Sequence, residues 1–512
     1  MKKRVWAIML ALAMTVSLAA GCAGKKDEQA TTEGTTTGTT TETGDTEEVT
    51  DDVGIDTSEE VEIILYMIGD RPADYDKMLE EFNKKAKADL NCTLKVNFLT
   101  WGEYRTKYPL ILSSGEPIDL IYVATWLNFY PQAQKGAFLP IEDILEKSSP
   151  NTYSTITEAA MRQATVNGHV YAVSGTKESY NSYGPVVRKD LMEKYGMDKI
   201  DTFDKYGDFL KEVSKNEQGM DPTFFSSVGS EFDATYMMME GLYPLTGNME
   251  SIYWIDPTEA SPQVISVESW EKTPEFLAKM KEWSDEGTWS KSALANKDTN
   301  KLQNGTSASR LKNLDTWIEA TIGTDWEWEF FDFAPQVEIM SHMQDSIAVP
   351  ASSKNPERAL LLLDKIKSDE SYYRLMTYGI EGDHYEIHAD GSIESIASDR
   401  FGFRPGMWGM EMREFMLPIT GSPEALAGML DDYHKSAVDN IYRGFYMDSE
   451  PFKNELAAVQ SVMEQYWNPL ELGYVDPVSG YQEFQEQMKA AGNDKVLEEL
   501  QKQVDAFTEA NR

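Results

Sequence analysis

Apolar residues fill Val5–Ala20, almost vanish from 23–60, and then return in short periodic groups. Val61–Met67 (VEIILYM) reads as a strand. From Pro72 to Ala88 a helix is expected, with Tyr75, Met78, Leu79 and Phe82 on one face. Cys92–Leu99 reads as a second strand, Trp101–Leu112 as a helix and Asp119–Val123 as a short buried strand. This β-α-β-α-β order predicts a parallel sheet covered by helices on both faces. Two further helices are expected over Glu357–Ile366, after an Asn355-Pro356 start, and over Asp494–Asn511. Between them HYEIHADGSIESI (384–396) alternates around Asp390-Gly391, the mark of a β-hairpin. No internal repeat is visible.

The first apolar run follows Lys2-Lys3-Arg4 and ends in small residues, the layout of an export signal. Thr15 and Ser17 interrupt it, and it falls short of the ~20 apolar residues of a comfortable membrane span. Its end, Leu18-Ala19-Ala20-Gly21-Cys22, resembles the lipobox of bacterial lipoproteins. Ala19 stands where leucine is commoner, with Leu18 one place earlier. The resemblance implies cleavage after Gly21 and a lipid on Cys22; the alternative is a secretory signal with a chance cysteine. Two acyl chains suffice for stable anchoring where one is marginal. Residues 23–60, with TTEGTTTGTTTETGDTEE at their centre, cannot bury a core and read as a disordered tether. A flexible chain of that length spans roughly 30–40 Å.

About 450 residues remain, enough for two or three domains. No later segment has the 18 or so uninterrupted apolar residues that would span a membrane. The formal charge is −39. So acidic a surface excludes nucleic acid as an expected partner, because that binding rests on cationic contacts to phosphate. It also opposes anionic lipid and anionic ligands, although charge of this sign can serve solubility alone. Cysteine occurs only at Cys22 and Cys92. With Cys22 lipidated, Cys92 has no partner, and its place in a strand marks it as a packed thiol.

Several segments, in order, are similar to the extracellular solute-binding proteins of ABC importers, family 1 type. GEPIDLIYVATWLNFYPQAQKGAFLPIEDIL (115–145) resembles the family's G-x-x-P-D segment and its later G-x-L-x-P-L. NGHVYAVS (167–174) looks like the crossover strand, and GPVVRKDLMEKYGM (184–197) like the strand and helix after it. LQNGTSA (302–308) resembles the F-x-x-G-x-A-A turn, with Leu302 for phenylalanine. IAVPASSKNPERALLLLDKIKSDESYYRLMTYGIEGDHY (347–385) is similar to the return strand and the N-P-E-x-A helix, and its end resembles a subgroup with a C-terminal domain of unnamed function. The resemblance implies an α/β, two-lobe periplasmic-binding-protein-like fold (type II), with hinge crossovers between lobes that close on ligand. The implied boundaries are 61–172 plus 345–405 for lobe one and 173–344 plus 406–512 for lobe two. It also implies a monomer on the extracellular face of the cell membrane, carrying a carbohydrate to permease subunits, with neither cofactor nor metal.

A sugar offers apolar C–H faces that stack on aromatic rings and hydroxyls that need donors and acceptors. The chain has 12 Trp, 25 Tyr and 20 Phe, many of them necessarily core. Those in loop-like positions beyond expected strands are the candidates: Trp101, Trp126, Tyr180, Tyr183, Trp317 and Trp408. Each could instead be a packed hydrophobe. Asp315, Glu381, His384 and Arg404 are the candidate polar partners. His384 and His388 have the spacing of a helical zinc pair, but on a hairpin strand they would lie about 13 Å apart, so zinc is rejected. No nucleophile elbow, phosphate loop or HExxH stands in the chain. A glycosidase carboxylate pair could hide among the many acids. The readings are therefore a carbohydrate-binding importer component, an anchored glycoside hydrolase, or the binding fold with a peptide or other small-molecule cargo.

Overall fold

The computed structural model describes residues 54–225, 231–245, 251–295, 300–403 and 407–511. The expected signal peptide, Cys22, most of the tether and Arg404 lie outside the described residues. Among the described residues no helix is long and apolar enough to cross a membrane.

Strands β1 (Val61–Ile68), β2 (Cys92–Leu99) and β3 (Leu120–Val123) lie parallel in the order β2-β1-β3. Helix α1 (Tyr75–Leu90) crosses from β1 to β2 and buries Tyr75, Met78, Leu79 and Phe82, the face its periodicity predicts. Burying each such side chain contributes about 1.5–3 kcal/mol before entropy is counted. Cys92 is fully buried, and burial pushes its thiol up to about 11, so it is inert packing. Helix α2 (Tyr104–Ser113) begins three residues later than its pattern suggests and leaves Trp101 in the preceding turn.

The sheet is mixed rather than wholly parallel. Strand Ser346–Ala348 runs antiparallel to β3 on one side and to Ala172–Ser174 on the other. Val123, Ser346 and Ser174 are aligned across it. The chain leaves the sheet after Ser174 and returns before Ser346 at the same end, so the returning strand must run backwards.

The second lobe has its own antiparallel sheet, with Tyr183–Arg188 between Ser309–Asn313 and Trp328–Phe330. Helices Phe203–Asn216 and Thr273–Asp285 bury Phe203, Phe209, Phe276 and Trp283 in a core beside it. Trp467, Leu470, Phe484 and Met488 from the C-terminal region fill that same core. Val496, Leu500 and Val504 of the last helix (Asn493–Asn511) pack on Tyr253 and Ile255 of a small sheet.

The first core extends beyond the expected boundary at 405. Met407, Met410 and Met412 are buried in it, with Phe415, Leu417 and Ile419 packed alongside. It also starts earlier than 61. Buried Arg358 of the NPERA helix donates to the carbonyls of Asp56 (2.7 Å) and Asn91 (3.0 Å), fixing the chain before β1.

Asp119, the acid of the PIDL segment, is buried and accepts hydrogen bonds from the Ile64 amide (3.1 Å), the Ser353 hydroxyl (2.8 Å) and the Asn355 amide (3.3 Å). It joins β1, β3 and the turn before helix Pro356–Ser368. Asp119→Ala orphans three donors at once and should lower stability by about 2–4 kcal/mol in denaturant unfolding. Truncation after residue 440 strips the second core of Trp467 and its neighbours. The shortened chain should aggregate or bind the dye ANS while the full chain does not.

Candidate ligand-binding cleft

Ligands in open α/β sheets bind beyond the carboxyl ends of the parallel strands. β2 ends at Leu99 and β3 at Val123, so the turns that follow place Trp101 and Trp126 at that edge. Trp408 arrives from far along the chain. Gly409 makes this possible: its φ is +83°, and a Cβ there would lie 2.7 Å from the Ser346 carbonyl carbon. The Trp101 ring lies 5.2 Å from Trp408 and 6.2 Å from Trp126. Tyr104 and Tyr122 lie against Trp126 at 5.5 and 5.9 Å. Trp101 is 45% exposed, whereas Trp126 and Trp408 are half-buried. The cluster thus presents one open indole face backed by rings it cannot collapse into. Such a surface suits the apolar face of a flat ligand.

Polar groups frame these rings along the interlobe crossings 175–182 and 331–345. Buried Glu411 takes Lys177 Nζ at 2.9 Å, and its carbonyl accepts the Thr176 and Lys177 amides. Gly175 admits this approach, since a Cβ would sit 2.1 Å from that carbonyl oxygen. The Tyr122 hydroxyl donates to Asp345. From the second lobe, Lys312 lies 5.9 Å above the Tyr183 ring and pairs with Glu231. Asp315, exposed in the first turn of helix Leu314–Gly323, bears electrostatically on Tyr183 and on Asp345. Lys177 and Lys312 are therefore each neutralised by a carboxylate.

The expected site residues separate into groups. Trp101, Trp126 and Trp408 come together, with Asp315 and Tyr183 on the second lobe's side. Tyr180 lies on the first crossing, its hydroxyl on Glu178 (2.8 Å) and its ring 5.4 Å from Tyr433.

Trp317 is a core residue, contrary to expectation. It is 3% exposed, donates through Nε1 to the Trp328 carbonyl (2.7 Å) and stacks on Phe330. Glu381 and His384 also belong elsewhere. The hairpin forms, with Tyr385–Ile387 paired to Ile393–Ser395 and Glu381 exposed before it. His384 is fully buried and stacks on Phe401 at 4.6 Å. Its Nε2 faces Asp383 (3.2 Å) and Asp74 (3.4 Å), and the three residues could be taken for a metal centre. Two facts argue otherwise. Nδ1 accepts the Ile380 amide at 3.0 Å, so Nε2 keeps its proton and has no lone pair to give. Arg400 and Lys77 already neutralise Asp74 and Asp383. The group ties the hairpin to α1.

The pattern did not single out Tyr104, Tyr122, Lys177, Asp345 or Glu411. The available signals were faint: a hydroxyl inside the apolar LIYV strand, and a lone acid just before IAVP.

Residues 77–380 match the family described as bacterial extracellular solute-binding protein, and 441–509 match a domain of unknown function. A carbohydrate ABC transporter substrate-binding protein of Streptococcus pneumoniae is 24% identical over 88% of this chain and 92% of its own. The N-glycan transport solute binding protein of the same organism superposes with a TM-score of 0.75 at 22% identity, covering 88% of this chain and 100% of the other. A human milk oligosaccharide (HMO) binding solute-binding protein of Bifidobacterium longum infantis gives 0.64 at 16% identity, covering 88% and 99%. With the two lobes and their crossings already in view, the match over more than half its length makes this chain a member of the bacterial extracellular solute-binding protein family.

Proposed function

We propose that this protein is the substrate-binding component of an ABC importer, held at the outer face of the cell membrane by a lipid on Cys22, and that it captures a neutral oligosaccharide. The observation that carries this reading is the Trp101–Trp126–Trp408 cluster at the carboxyl ends of β2 and β3. Stacked indoles fit pyranose faces, and a ligand longer than one sugar uses more than one of them. Among the described residues, Lys177 pairs with Glu411 and Lys312 with Glu231, which weakens the pull of these two lysines on an anionic ligand. The chain's charge of −39 acts in the same direction. Relatives named for N-glycan, human milk oligosaccharide and fructo-oligosaccharide cargo support the carbohydrate class. Delivery to permease subunits is part of the same proposal, with the acidic, Thr-rich stretch after Cys22 as its expected tether. The hydrolase alternative has less support, because the relatives matched along nearly the whole chain carry binding names rather than catalytic ones.

Calorimetry against a panel including Man5GlcNAc, kestose and glucuronate-bearing oligosaccharides tests the class. A neutral glycan should bind and be recovered intact; its cleavage would establish the hydrolase instead. Trp126→Ala should weaken that binding at least tenfold, ~1.4 kcal/mol or more, with little change in melting temperature. Trp317→Ala should do the opposite, costing about 3–5 kcal/mol of stability while the folded fraction still binds. Cys22→Ala should move the protein from the membrane fraction into the medium with glycan affinity unchanged. Retention on the membrane would end the anchoring argument.

A further inference from the structure

Asp345 stands where the second crossing enters the first sheet, between the turn His342–Gln344 and the strand Ser346–Ala348. Its Oδ1 accepts the Tyr122 hydroxyl, whose oxygen also lies 3.3 Å from the Gln344 carbonyl. The Tyr122 ring is 5.9 Å from Trp126 and 6.2 Å from Trp408. One side chain therefore touches the aromatic cluster at its ring and the crossing at its hydroxyl. A second link runs beside it, from the Thr125 hydroxyl to Gln344 Oε1 at 3.2 Å.

Asp345 also lines a cavity of about 30 Å³, together with Ser174, Lys177, Ser341 and His342. That volume admits a water or one hydroxyl group but no sugar ring. An ionised carboxylate offers about four acceptor positions, and Tyr122 uses one of them. Tyr122, in contact with Trp126 and Trp408 through its ring and with Asp345 through its hydroxyl, joins this carboxylate to the indoles.

We propose that Asp345 is the acceptor for one ligand hydroxyl, and that Tyr122 makes this contact the link between the aromatic cluster and the interlobe hinge. The proposal rests on the carbohydrate reading above.

The charges around Asp345 give the contact a signature. Burial pushes the Asp345 carboxyl up to about 6, against the Tyr122 hydrogen bond, which lowers it. Glu411, between the first-lobe core residues Met410 and Met412, and Asp315 of the second lobe act in the same direction as burial, and Lys177 of the first crossing acts against it. A ligand hydroxyl donates to the ionised form and so favours it. Glycan binding should therefore release a proton when the pH is near 6. Affinity should rise with pH up to about 6 and level off above it, falling roughly tenfold per unit below.

The test is calorimetry from about pH 5 to about pH 7.5, with whichever neutral glycan of the panel binds, in buffers of differing ionisation enthalpy. Wild type should show the slope and the proton release. Asp345→Asn should bind about tenfold more weakly near pH 7.5, converge on wild type near pH 5 and lose the slope. Tyr122→Phe keeps the ring but removes the donor, so the midpoint of the pH profile should move upward. Unchanged affinity in Asp345→Asn, or a slope that survives it, overturns the assignment and leaves the carbohydrate reading standing. If no glycan of the panel binds, the carbohydrate reading itself falls and the assignment falls with it.

Discussion

One short strand holds this structure together. Ser346–Ala348 pairs with β3 on one side and with Ala172–Ser174 on the other, and both partners are antiparallel to it. Its backbone is the surface against which Gly409 packs. Because Ser346 is aligned with Val123 and Ser174, the exit and the return of the chain lie next to each other. A register shift of one residue would turn Asp345 away from Tyr122, because side chains alternate along a strand. It would also displace Trp408, whose position depends on Gly409. The aromatic cluster and the second crossing are thus set by the same few backbone hydrogen bonds.

Much of the first lobe was legible because its elements are local. Tyr75, Met78, Leu79 and Phe82 announce a helical face without knowledge of what they face, and 61–68, 92–99 and 120–123 announce strands by run length. The fourth and fifth strands were harder to place. Three residues each, they owe their direction to where the chain returns from the other lobe, which no local pattern encodes. The indoles show the same divide. Trp101 and Trp126 could be found because they follow strands directly. Trp317 also follows a strand, Ser309–Asn313, yet its partners Trp328 and Phe330 come later in sequence and fold over it. Long-range packing of that kind overrides a loop-like position. His384 was a candidate, with Glu381, for its place in the loop IEGDHY that ends in a strand. Its burial against Phe401 depends on a contact that only the folded chain brings about.

Charge patterning carries a similar lesson. A formal charge of −39 describes the surface average and says little about the cleft, where carboxylates and amines meet as pairs. Paired ions in a partly dry cleft are nearly neutral at a distance yet still supply directional donors and acceptors close by. That combination suits a ligand that carries many hydroxyls and no charge.

The C-terminal region does more than append helices. It completes the second core through Trp467, which stacks near Phe276 and donates to Asp233 at 2.8 Å. Its start also reaches the hinge. Val438 pairs in strand fashion with Glu338 of the second crossing, and Arg443, nearly buried, pairs with that glutamate at 2.8 Å. On the first lobe's side, Asp439 meets Arg162 at 2.8 Å and the Tyr446 ring lies 5.6 Å from Tyr130. Exposed contacts such as Arg162–Asp439 are worth under about 1 kcal/mol and can break and reform. Breaking Arg443–Glu338 by removing one partner would strand a buried charge, at about 3–5 kcal/mol. The segment 438–443 is thus held to the second crossing by a buried pair and to the first lobe by an exposed one.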